Sequence, residues 1–103
     1  MQEVQKTIAE ITRRLRSQFH PRAIILFGSH AWGQPGDESD IDLLIVKDSD
    51  ENRHQMGVQV QKLLFDIDCD LGLLVYQTRE VKERKNLFFR RILNEGKVLY
   101  GSL

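Results

Sequence analysis

A chain of 103 residues, 41% hydrophobic and 29% charged, has the makeup of a small globular domain, with room for a few helices on a small sheet. Its 15 Lys and Arg balance 15 Asp and Glu, so bulk charge draws it neither to long nucleic acid nor to an anionic membrane. The lone cysteine, Cys69, excludes an internal disulfide; no Cys/His spacing fits zinc, and no apolar run has membrane-spanning or signal-peptide form, so the chain reads as a single cytoplasmic domain over 1–103.

Val4, Ile8, Ile11 and Leu15 recur at helical spacing and predict an amphipathic helix closed before His20-Pro21, since a residue preceding Pro avoids the α region. Ala23 to Phe27 is a short aliphatic run ending in Gly28-Ser29, the pattern of a strand. Ten residues separate Ser29 from Asp40, and Asp40-Ile41-Asp42 then runs into a second strand, Leu43 to Val46. That connection is too short for a crossover helix, so the two strands should be antiparallel neighbours with one helical turn between them. Trp32, within it, has two readings: stacking on a base, or packing against the first helix, which is the expectation.

Lys47 to Asn52 reads as a loop, and Met56, Val60, Leu63, Leu64 and Ile67 predict a second amphipathic helix. Leu71 to Val75 is a third strand, and a strand–helix–strand unit of this length makes a parallel pair. Alternation sets Asp68, Asp70, Gly72 and Leu74 on one face, with Cys69, Leu71, Leu73 and Val75 on the other. Thr78 can cap a third helix running to about Leu93, with Val81, Phe88 and Ile92 inward and Leu87 and Phe89 flanking. Its six basic residues make a solvated face or, on a sharper reading, a docking surface for an acidic partner. Gly96 stops it, and Lys97 to Tyr100 forms the last strand.

The chemistry concentrates between Ile24 and Val46. Residues two apart in a strand share a face, so Asp40 and Asp42 point the same way and repel each other. A divalent cation between them relieves that repulsion, and hard cations such as Mg2+ prefer oxygen ligands. Gly28 allows a tight turn after the first strand, and Ser29 can cap a short helix whose N–H groups face a phosphate. A phosphate cradle beside a carboxylate pair points to chemistry on a nucleoside triphosphate.

Phe27-Gly28-Ser29, Gly33 and Ser39-Asp40-Ile41-Asp42-Leu43 together resemble the signature of the minimal nucleotidyltransferase domain, a branch of the DNA polymerase β superfamily. The resemblance implies an α/β (α+β) fold, a small mixed sheet with about three helices. It implies transfer of AMP from ATP with Mg2+, two ions, held by Asp40, Asp42 and a third carboxylate at Asp70, with Asp68 as runner-up. Gly28, Ser29 and Ser39 would bind the nucleotide. The family carries an Arg near the positions of His30 and Trp32; this chain has none there, and Arg22 or a helix arginine is the candidate substitute. Minimal nucleotidyltransferases are often encoded beside a HEPN-domain ribonuclease toxin, which they adenylylate on tyrosine as antitoxins. A HEPN toxin is thus the implied partner, and a homo-oligomer is allowed. A non-catalytic nucleotide-binding module that neutralises a partner by contact is the alternative.

Overall fold

The computed structural model describes residues 2–32, 40–83 and 87–103. Four strands, β1 (Ala23–Phe27), β2 (Ile41–Lys47), β3 (Leu71–Gln77) and β4 (Lys97–Gly101), form one mixed sheet in the order β3-β2-β1-β4. β1 runs antiparallel to β2 and β4, and β2 runs parallel to β3. Both expectations about strand direction hold, because a short connection permits only an antiparallel return and a helical one permits a parallel crossover.

Every residue of β1 is buried, which is why that strand reads as an unbroken apolar run with no alternation. On one face of the sheet Ile24, Leu26, Ile41, Leu43 and Ile45 meet Ile11, Leu15 and Phe19 from the N-terminal helix and Met56, Val60 and Leu64 from α3 (Arg53–Leu64). On the other, Ile25, Phe27, Leu44 and Val46 meet Val81, Phe89 and Ile92. Asn52 opens α3 with a reciprocal capping box: its side chain accepts the Gln55 N–H while the Gln55 side chain accepts its own. Among the described residues no helix is long and apolar enough to cross a membrane.

The N-terminal helix, α1 (Gln2–Arg14), continues into a π-helical turn over Leu15–Phe19. The His20 N–H reaches back five residues to the Leu15 carbonyl at 3.0 Å, and His20 leaves in the left-handed region at φ 57°. The wider turn puts both Leu15 and Phe19 into the core. The expected third helix is described as α4 (Thr78–Glu83) and α5 (Leu87–Glu95), with residues 84–86 outside the described set. α5 buries Phe89 and Ile92 and leaves Phe88 49% exposed, so Phe89 takes the inward place expected of Phe88.

Arg14 ties α1 to the end of α3. Its guanidinium donates to Glu10, to the Leu63 carbonyl and to Asp66, a partnership that explains Asp66 without any role in a site. Hydrogen bonds from Arg13 and Arg14 bring the Glu10 carboxyl from its ordinary 4.5 to about 2, and Arg14 lowers Asp66 as well. Carboxyls depressed in the fold add stability above their ordinary value and lose it as pH falls through the folded one. Arg14→Met should therefore melt a few degrees below the native chain at pH 7, with the gap closing as pH falls from 4.5 to about 2 in a thermal-melt series. A gap that stays constant with pH would assign the loss to packing of the arginine stem instead.

Candidate active site

Gly28 closes β1 at φ +76°, a conformation that L side chains rarely adopt. Its carbonyl accepts the N–H of Ala31 at 3.0 Å and of Trp32 at 2.8 Å, and so winds the single turn α2 (Ser29–Trp32) directly off the strand. Ser29 is the first residue of that turn and is half-buried.

Asp42 lies in β2, opposite Phe27 on β1 and Gly72 on β3. A Cβ added at Gly28 would fall far inside van der Waals contact of Asp42 Oδ2, and one added at Gly72 equally close to Oδ1. The carboxylate thus lies between two backbones, and only glycine on each side leaves space for it. The room that Gly72 opens belongs to Asp42, one strand away, rather than to an acid on its own strand. Burial, and then the neighbouring Asp40, push the Asp42 carboxyl above the ordinary range, with the charge of His30 pulling the other way. His30 thus lies near enough to Asp42 to act on its charge, at a position the sequence reading marked only as one where the family carries an Arg.

Asp40 and Asp70 are both exposed and each immediately precedes its strand. The Ile41 N–H donates to the Asp70 carbonyl at 3.0 Å, and the Ile41–Leu71 register carried one residue back sets Asp40 beside Asp70. The Cys69 thiol reports the same gathering of acids: burial raises its pKa, and Asp70, Asp68 and Asp40 raise it further. Asp68 lies in a bend two residues further out, off the strand. Ser39 and Gly33 lie outside the described residues.

Among the described residues no three His, Cys, Asp or Glu side chains are grouped closely enough to hold a metal ion by themselves. Mg2+ does not require such a cage: it keeps waters and takes one or two carboxylates together with substrate phosphates. Asp40 and Asp42 fit that role, since the charge that burial and mutual repulsion disfavour is the one a cation would stabilise.

Two expected placements are corrected. Arg22 precedes β1 at the end opposite Gly28, where it pairs with Asp48 at 3.4 Å, too far along the strand to serve the turn. Trp32 packs against Phe27, ring centroids 6.1 Å apart, on the sheet face away from α1. A groove of about 530 Å³ lies elsewhere, between α1 and β4, and is lined by Ile8, Thr12, Arg13, Arg16 and Lys97 among others. Among the described residues no carboxylate lines it, so the chemistry of the acids outweighs its size.

Because Asp42 is raised in the fold, its charge destabilises the native state fully above the folded pKa and not at all below the ordinary carboxylate value. In metal-free buffer, Asp42→Asn should therefore raise the melting temperature by a few degrees at pH 7. The advantage should vanish as pH falls toward about 4, and an unchanged or lower melting temperature at pH 7 would contradict the desolvated carboxylate.

A family model described as polymerase beta, nucleotidyltransferase matches residues 9–102. A Methanocaldococcus jannaschii protein, MJ0604, which carries the name protein adenylyltransferase, is 37% identical over 99 residues, covering 93% of this chain and 97% of its own. Among solved structures, a toxin–antitoxin complex with AMP-PNP superposes with a TM-score of 0.64 at 26% identity, covering 91% of this chain and 73% of that one. The complex of a tri-AMPylated Shewanella oneidensis HEPN toxin with its MNT antitoxin gives 0.59 at 25% identity, covering 95% and 72%. The family match runs from within α1 to the end of β4, through both glycines and every acid gathered at this end of the sheet; the chain belongs to the polymerase beta nucleotidyltransferase family.

Proposed function

We propose that this chain, working as one domain, transfers AMP from ATP to a tyrosine hydroxyl of a HEPN ribonuclease toxin encoded nearby, in the cytoplasm and with Mg2+, and so acts as its antitoxin. The observation that carries the reading is the Asp42 carboxylate lodged between Gly28 and Gly72 with Asp40 beside it. The similarity to MJ0604 and to toxin–antitoxin structures, one with AMP-PNP and one with an AMPylated HEPN toxin, supports the substrate and the acceptor class.

In the transfer, the acceptor oxygen bonds to the α-phosphorus while the bond from that phosphorus to the β-phosphate oxygen breaks and pyrophosphate leaves. Positioning and charge neutralisation do most of the work in such reactions. Asp40 and Asp42 would hold Mg2+, which supplies Lewis-acid stabilisation of phosphate charge when bound. Gly28 and Ser29, with Ser39, would hold the phosphate chain through backbone N–H groups and hydroxyls. Asp70, which immediately precedes β3 as Asp40 precedes β2, would orient the acceptor and favour loss of its proton.

Co-expression with the neighbouring toxin, followed by intact-mass measurement, tests the reading directly. The toxin should gain whole AMP increments with the native chain and none with the Asp40→Asn, Asp42→Asn double variant. An unmodified toxin in a tight complex with the native chain would make this a binding module that neutralises by contact. Asp70→Asn should still bind Mg-ATP yet slow transfer by about 100-fold, while Asp68→Asn leaves the rate close to native. The reverse result would move the third carboxylate to Asp68.

A further inference from the structure

We infer that Arg91, on α5, binds the phosphate chain of the nucleoside triphosphate, delivered to the acidic end of the sheet by stacking on Trp32. This rests on the nucleotidyltransferase reading above and adds to it a residue from a separate element, some sixty positions along the chain from the Gly28 turn.

Residues 42, 44 and 46 alternate onto one face of β2, and Leu44 and Val46 pack there with Phe27, Phe89 and Ile92. Asp42 and α5 therefore occupy the same side of the sheet. α5 is held there by an aromatic bridge: Phe88 meets Phe27 edge-on at 5.8 Å, and Phe89 meets Tyr76 edge-on at 5.2 Å. One turn along, the Arg91 guanidinium lies 4.1 Å from the centre of the Trp32 ring. The Trp32 N–H donates to the Gly28 carbonyl at 2.8 Å, and Gly28 in turn abuts the Asp42 carboxylate. Arg91 is thus linked to the acids by one side chain and one turn of backbone.

The orientation of Trp32 supports a platform role. Its Nε1 is buried with no hydrogen-bond partner among the described residues, and the indole, packed against Phe27, offers a ring face to the guanidinium. A base cannot stack on the ring face that Arg91 covers. Electrostatics supply the need: Asp40, Asp42, Asp68 and Asp70 crowd one end of the sheet, and a polyphosphate brought there requires a fixed cation on its far side. Planar Arg suits that purpose, since it can stack and donate to phosphate oxygens at once. Its pair with Glu95, at 2.8 Å, joins two side chains that are 58% and 57% exposed, the kind of surface contact that yields readily to a phosphate.

The chain carries one tryptophan, so Trp32 fluorescence reports on the stack. Mg-ATP and AMP are titrated into native protein and into Arg91→Met, with affinities from calorimetry and Trp32 emission recorded alongside. The native chain should bind Mg-ATP with a saturable change in emission. Arg91→Met should weaken Mg-ATP by about ten-fold, leave AMP affinity unchanged, and keep the native melting temperature. Arg91→Lys should recover part of the Mg-ATP affinity. Equal Mg-ATP affinity in native protein and Arg91→Met overturns the assignment, as does an equal loss of ATP and AMP with a lowered melting temperature, which would make Arg91 structural. A native chain that binds no Mg-ATP would instead overturn the nucleotidyltransferase reading on which it stands.

Discussion

A carboxylate on an inner strand of a sheet needs space that neighbouring side chains normally fill. Here Asp42 has that space because β1 ends in Gly28 and β3 carries Gly72, one on either side of β2. Asp42 and Gly72 lie on separate strands and Gly28 directly follows a third, and the order β3-β2-β1 brings them together. The arrangement leaves the acid penalised by burial and by Asp40. A charge held at a cost in the empty protein is what a cation-binding or transition-state-stabilising group requires, and the rest of the fold supplies the stability that it gives up.

That stability comes mainly from the face opposite the acids. There α1, its π-helical continuation and α3 cover Ile24, Leu26, Leu43 and Ile45 with fully buried Ile11, Leu15, Met56 and Val60. The Arg14 contacts to the Leu63 carbonyl and to Asp66 fasten the two helices across their ends. The second face is built differently, from aromatic edges and a shorter helix, with Leu87 and Phe88 left exposed beside the buried Phe89. The site thus sits on the side of the sheet with the smaller core, and the larger core holds the strand register that the site needs.

The relative directions of β1, β2 and β3, and both apolar runs that make β1 and β2, could be read directly from the chain. Strands buried on both faces show as continuous aliphatic stretches, and loop length constrains whether a return is parallel or antiparallel. Asp40 and Asp42 could be placed for the same reason: a period of two is a local property of one strand. Alternation set Gly72 on one face with Asp70, although the acid it admits lies on β2. The place of His30 beside Asp42 and the exchange of Phe88 for Phe89 were hidden, because periodicity ranks the faces of one element and does not show which of two neighbouring positions the sheet will cover.

The sequence by itself determined the strands, the amphipathic helices, the tight turn at Gly28 and the acids that flank β2. All of these follow from residue spacing, backbone freedom and side-chain chemistry within a few positions. Tertiary structure decided which neighbours those pieces meet: that Gly28 and Gly72 close on the same carboxylate, that Trp32 turns toward α5 and away from α1, where Arg91 covers its ring, and that Arg22 pairs with Asp48. Those pairings join residues tens of positions apart, and they are settled by sheet order and by which face each helix covers, which no local pattern encodes.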